Sequence, residues 1–91
     1  MKEDEKKFLI DLYKASLDLV QTYAFGIDTG LQPRLHVRDI INQDGFYMHY
    51  KRAWYLLEKW CSKGWYEYGV TLDLGWLTDT GKMKAREVLN A

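Results

Sequence analysis

A single cysteine, Cys61, leaves the chain unable to form an internal disulfide. Its apolar neighbours mark it as a small buried residue. That cysteine and the two histidines, His36 and His49, lack the spacing of a zinc site, and no acidic ligands cluster with them. No metal and no cofactor are expected. No run approaches the roughly 18 apolar residues of a membrane helix. The charged start, 1–7, is followed by no long apolar run, so no signal-peptide pattern is present. The expectation is a soluble, cytoplasmic protein with no membrane partner. Gly26 and Gly30 are followed by no Lys-Ser or Lys-Thr pair, so they do not make a phosphate-binding loop. Ser16 and Ser62 have no neighbouring base to activate them. Asp11 and Asp18 fall on the polar side of the first helix, and no paired-carboxylate motif stands out. An enzyme is not expected. The formal net charge is zero, so no overall basicity advertises nucleic acid.

The charge is nevertheless unevenly spread. Residues 1–30 sum to −2, residues 31–63 to +3 and residues 64–91 to −1. The positive excess therefore sits in the middle third. Four Trp and seven Tyr supply large apolar area for a chain of 91 residues, which argues for one compact domain over 1–91 and against disorder.

Apolar residues at Phe8, Leu9, Leu12, Tyr13, Leu19, Val20 and Tyr23 recur at helical spacing over about 1–25. Ile10, Leu17 and Ala24 widen that stripe to roughly half the circumference. A small domain offers one surface to cover it, so the surplus points to a homodimer through this helix. Gly26, Gly30 and Pro33 mark a loop, and 31–35 can add a short edge strand. A short helix is expected over 37–43, with Val37, Ile40 and Ile41 inward, ended by Asp44-Gly45. A longer helix follows over 49–63. Tyr50, Ala53, Trp54, Leu57, Trp60 and Cys61 share its apolar face, with Leu56 at the flank. Met48, His49, Lys51, Arg52, Tyr55 and Lys59 are expected outward. Gly64 suits the position after the helix end. Segments 65–68 and 71–77 read as two short strands, interrupted by Gly69 and Gly75. Thr78 then caps a final helix, 79–90, in which Gly81 is a weak point.

Ile40-Ile41 followed by Gly45 is similar to a helix-turn-helix step. The run from Leu56 through Lys63-Gly64-Trp65 looks like a recognition helix entering the first strand of a wing. Trp76-Leu77-Thr78-Asp79-Thr80-Gly81-Lys82 resembles the Leu-Thr-x-x-Gly-Lys/Arg step that closes the wing in regulators of the MarR and PadR types. Over about 31–89 the chain thus resembles the winged helix-turn-helix superfamily. The resemblance implies an α+β fold: helix, short helix, recognition helix, two-stranded wing and C-terminal helix, with helix-turn-helix and wing spanning 31–81. It also implies binding of double-stranded DNA and transcriptional regulation, with the 49–63 helix in the major groove.

The residues expected at the DNA are Arg34 and Arg38 on phosphates, and Tyr47, His49, Lys51, Arg52, Tyr55 and Lys59 from the helix and its approach. The turn near 69–73 carries no Lys or Arg, which departs from the basic wing tip common in the family. A second reading is a winged helix used for protein contact, with Tyr47, Tyr55, Tyr66 and Tyr68 as its exposed patch.

Overall fold

The computed structural model describes residues 1–24 and 34–91, with side chains described for 1–18 and 34–91. The expected loop around Gly26, Gly30 and Pro33 lies outside the described residues, as do the side chains of Leu19, Val20, Tyr23 and Ala24. The architecture is α+β. Helix α1 spans Glu3–Ala24, strand β1 Leu35–His36 and the single turn α2 Val37–Ile40. A tight hairpin, β2 Asn42–Gln43 and β3 Phe46–Tyr47, leads to α3 Tyr50–Ser62. Strands β4 Tyr66–Tyr68 and β5 Leu74–Leu77 and helix α4 Asp79–Leu89 complete the chain.

Helix α1 buries Phe8, Leu9, Leu12, Tyr13 and Ser16 along one side, as the i, i+3, i+4 spacing dictates. Phe8 packs on Trp60 of α3 at 5.3 Å between ring centroids and on Phe46 of β3 at 6.4 Å. Leu35, Val37, Leu56, Leu57, Tyr66, Leu77 and Ala85 fill the remainder of one core. Its favourable term is apolar area removed from water, about 25 cal/mol per Å².

The three-stranded sheet has the order β1-β5-β4, all antiparallel. An edge strand is present at Leu35–His36, overlapping the expected 31–35 stretch only at Leu35, with 31–33 outside the described residues; Leu35 faces Gly75 and His36 faces Leu74. In the β4–β5 pair, Tyr66 faces Leu77 and Tyr68 faces Gly75. Tyr66 lies beneath the sheet, and its hydroxyl donates to the Leu72 carbonyl at 2.5 Å. Trp65 precedes the strand, and Leu72 and Asp73 form the turn into β5. The strands are thus shorter than the β-prone residues alone imply.

Three further expectations are corrected. The short helix stops at Ile40, not at 43. Asn42 and Gln43 pair instead with Tyr47 and Phe46 across Asp44-Gly45. Gly45, at φ +84°, takes the left-handed conformation within a hairpin turn, not after a helix. Asp-Gly between residues able to pair is a hairpin signal as well as a helix-stop signal, and here the pairing wins. Second, α3 is rotated about its axis relative to the expected face. Its buried residues are Ala53, Leu56, Leu57 and Trp60, while Tyr50 is exposed and Trp54 and Cys61 are only half-buried. At about 100° per residue, this shifts the centre of burial by roughly 50°. Third, Met48 is buried, and its N–H donates to the Ile41 carbonyl at 3.0 Å, which closes the approach to α3.

The two motifs that carried the resemblance meet in space. The Thr78 hydroxyl donates to the Gly64 carbonyl at 2.6 Å and accepts from the Gly81 N–H at 3.0 Å. The Thr78 N–H donates to the Trp65 carbonyl at 2.9 Å. The end of α3 and the start of α4 are therefore one joint. Gly64, at φ +75°, turns the chain out of α3. Gly81 is buried against the Trp65 backbone, where a Cβ would overlap the Trp65 carbonyl oxygen. Its small size is a packing requirement, which corrects its reading as a weak point.

Candidate nucleic-acid interface

The outer stripe of α3 is Lys51, Tyr55, Glu58 and Ser62, the positions opposite Ala53, Leu57 and Trp60. Lys51 and Tyr55 stand at its N-terminal half. Tyr55 is 57% exposed, and Tyr47, at the end of the β2–β3 hairpin, is 71% exposed. The ammonium of Lys51 has no ion-pair partner among the described residues. These side chains form a ridge where the hairpin runs into the helix.

His49 caps α3. Its Nδ1 accepts the Lys51 N–H at 3.2 Å, and its ring stacks on Tyr50 at 4.7 Å between centroids. A histidine in this role satisfies one of the free N–H groups of the first turn. Tyr50 meets Trp54 edge-on at 6.1 Å, and the Arg38 guanidinium covers the other side of that aromatic row, 5.1 Å from the Trp54 ring. Arg38 also donates from Nε to the Asp73 carboxylate at 2.9 Å. Burial works to raise the Asp73 carboxyl, but hydrogen bonds from Thr71 and Arg38 outweigh it and hold the group below the ordinary aspartate range. Arg38 is thus fixed to the turn before β5 while most of its side chain remains exposed.

Arg34 reaches the β4–β5 turn from outside the strand pair. It lies just before β1, at the edge of the sheet, and its Nη2 is 3.5 Å from where a Cβ on Gly69 would stand. Gly69 follows β4 at the β4–β5 turn. The side chain of Arg34, from the residue just before β1, thus supplies a base beside a turn whose own segment 69–73 has none.

Arg52 and Lys59 are placed differently from the expectation. Both flank Leu56 on the inward side and meet the first turn of α1. Arg52 donates from Nε and Nη2 to the two carboxylate oxygens of Asp4, at 3.0 and 3.2 Å. Lys59 donates to both oxygens of Glu5 at 3.2 Å, and the Trp60 indole N–H donates to Glu5 at 3.0 Å. Glu5 is only 2% exposed. Burial alone would raise its carboxyl, but the Trp60 and Lys59 hydrogen bonds and the nearby cations hold it below the ordinary glutamate range. Lys59 is therefore part of a half-buried network around Glu5 rather than of the outer ridge. The signal for this was present in the sequence. Arg52 and Lys59 sit four before and three after Leu56, so burial of Leu56 turns both toward α1.

Of the eight residues expected at DNA, the structure gathers Tyr47, His49, Lys51 and Tyr55 at the hairpin–α3 ridge. Arg38 is tied to Asp73 in the β4–β5 turn, Arg34 reaches beside Gly69, Arg52 lies at the ridge's border, and Lys59 turns toward α1. Tyr66 is core and leaves the alternative tyrosine patch; Tyr68 remains exposed.

No matching family model, curated protein or solved structure was found for this chain.

Other chemistry finds less support in the geometry. Burial pushes the Cys61 thiol up, helped by the charges of Glu58 and Glu67, which is the reverse of an activated nucleophile. Two open depressions of about 320 and 250 Å³ flank Trp76 and Glu67 of the β4–β5 pair, one reaching Cys61 of α3 and the other Lys82 of α4. Among the described residues, no group of three or more His, Cys, Asp or Glu side chains converges as a metal site, and no helix is long and apolar enough to cross a membrane.

Proposed function

We propose that this domain is a winged helix-turn-helix module that binds double-stranded DNA sequence-specifically and acts as a small transcriptional regulator. The observation that carries the reading is the sheet order β1-β5-β4. A strand ahead of the short helix lies beside the second wing strand, with Arg34 reaching Gly69 at the wing turn, while burial of Ala53, Leu56, Leu57 and Trp60 leaves Lys51 and Tyr55 outward on α3. The N-terminal half of α3 enters the major groove, a groove wide enough for one helix. Lys51, Tyr47 and Tyr55 meet base edges or phosphates, and Arg34 and Arg38 meet the backbone beside the wing.

A mobility-shift series with mixed duplexes across a range of salt tests this. Wild type is expected to bind with a log–log salt slope of several units. Lys51→Ala with Arg34→Ala should reduce that slope by about 2 and weaken binding roughly tenfold or more. Unchanged affinity in this double variant, or binding indifferent to salt, sinks the reading.

The exposed tyrosines also favour a second reading. Tyr47, Tyr50, Tyr55 and Tyr68 are exposed, and the cations Arg38 and Arg52 are engaged by carboxylates, as suits a protein partner. Absence of any salt-dependent DNA binding decides for it.

We propose further that the protein is a homodimer through α1. Within one chain the domain covers Phe8, Leu9 and Leu12, while Leu17 is 44% exposed on the same helix. Two recognition helices would then meet half-sites about one helical turn apart. Leu17→Glu is expected to yield a folded monomer by sedimentation. A wild type that is monomeric at high concentration excludes the dimer.

A further inference from the structure

The acidic first turn of α1 lies against the cationic border of α3. Glu3, Asp4 and Glu5 open α1, where negative charge offsets the helix dipole. Asp4 and Glu5 then do something the dipole does not require. Each meets a cation of α3, so the four formal charges of Asp4, Glu5, Arg52 and Lys59 cancel.

The two pairs differ in kind. Glu5 is enclosed, held from two directions by Lys59 and the Trp60 indole. It is a structural anchor. The Asp4–Arg52 pair is at the surface. The acid is the outer partner: the Asp4 side chain is 46% exposed and that of Arg52 29%. The guanidinium also lies 5.7 Å from the Tyr55 ring. Arg52 is therefore next to the ridge formed by Tyr55 and Lys51, yet two of its donors are occupied by a carboxylate. The hydrogen bond from Arg52 holds the Asp4 carboxyl below the ordinary aspartate range, so Asp4 is charged at neutral pH.

We infer that Asp4 is an affinity-limiting residue: its carboxylate occupies Arg52 in place of a DNA phosphate and keeps α3 from gripping the duplex backbone at full strength. This rests on the duplex-DNA reading above. An incoming phosphate must displace Asp4 or approach against its charge. An exposed ion pair contributes little to stability, so it can be exchanged without unfolding the domain. Arg presents five donors in a fixed fork, and a phosphate can take the bidentate place of a carboxylate. The consequence is weaker attachment to arbitrary sequence, which leaves more of the discrimination to the residues that touch bases.

The test measures binding of a mixed-sequence duplex by fluorescence anisotropy over a salt series, with wild type, Asp4→Asn, Asp4→Ala and Lys51→Ala. Circular dichroism checks that each variant is folded. Asp4→Asn is expected to bind about fivefold more tightly at low salt, with a salt slope steeper by about 1, the signature of one additional phosphate contact. Asp4→Ala, which also removes the hydrogen-bond acceptor, should bind at least as tightly. Wild-type affinity and slope in both Asp4 variants, with Lys51→Ala weakened, overturn the inference and leave the DNA reading standing. Weaker binding by both Asp4 variants also overturns it, because Asp4 would then orient Arg52 rather than occupy it. If no variant binds at any salt, the DNA reading fails and this inference fails with it.

Discussion

Gly81→Ala is expected to destabilise the domain by about 3 kcal/mol or more, the upper end of what overpacking a close contact costs. The sign is the informative part. In an exposed helix interior, replacing Gly by Ala gains about 1 kcal/mol from backbone entropy. Here the added methyl meets the carbonyl oxygen of Trp65, with the Trp65 carbonyl carbon and Cα close behind. These are backbone atoms, and they are held. The same Trp65 carbonyl accepts the Thr78 N–H, and the Trp65 N–H donates to the Trp60 carbonyl at 2.9 Å. Moving α4 outward to make room would stretch the two Thr78 bonds that join it to the end of α3. Urea unfolding should therefore show a lowered midpoint, while Gly69→Ala stays close to wild type, since its new methyl makes an ordinary contact with Arg34. A stabilised Gly81→Ala variant refutes this account of the joint.

Replacing Glu5 by Ala is expected to cost about 3 kcal/mol, the scale of breaking a buried ion pair by removing one partner. The loss has two sources. The Lys59 ammonium is left partly buried without its counter-charge, and the Trp60 indole N–H is left in the core without an acceptor. Glu5→Gln separates them, because its amide oxygen can still accept from Trp60. It should fall between wild type and Glu5→Ala. Glu5→Leu with Lys59→Met removes the stranded charge and should recover part of the loss. Equal stability of wild type and Glu5→Ala rejects the anchor role.

The acid range gives an independent check. Glu5 has a lowered carboxyl pKa in the folded chain, so the folded state binds its proton less readily than the unfolded state does. Its stabilising contribution is therefore complete above the ordinary glutamate value, about 4.3, and is lost as pH falls through the lowered folded value. Asp4 and Asp73 act in the same direction. The stability gap between wild type and Glu5→Gln should accordingly narrow on acidification below about pH 4. A gap independent of pH would show that the Glu5 charge is not what the network uses.

The helices and the order of elements were legible in the sequence because they rest on local rules. The 3.6-residue spacing of Phe8, Leu9, Leu12 and Tyr13 placed α1 and its buried side. The capping chemistry of Thr78 and the left-handed preference of Gly64 placed the ends of α4 and α3. The α+β arrangement followed from these with the β-prone runs around Gly75. The hairpin at Asn42–Tyr47 was less legible, since Asp-Gly serves equally to end a helix and to turn a hairpin, and only pairing with Phe46 and Tyr47 distinguishes them.

The candidate interface was legible as a set of residue types and not as a surface. A count of bases in 31–63 treats Arg52, Lys59 and Lys51 alike, because charge in a sequence carries no direction. Tertiary structure separates them. The roughly 50° turn of α3 that buries Leu56 swings Arg52 and Lys59 toward Asp4 and Glu5, residues 48 and 54 positions away, and leaves Lys51 facing outward. The same holds at the β4–β5 turn, where a segment without a base has Arg34, more than thirty residues earlier in the chain, brought beside Gly69. By itself, the sequence determined the three longer helices, the β4–β5 strand pair and the caps at Gly64 and Thr78, because hydrogen bonding within a turn and periodic burial act between near neighbours. Tertiary structure alone decided which cations remain outward and why Gly81 must be glycine, because both depend on contacts between segments that only the assembled core brings together.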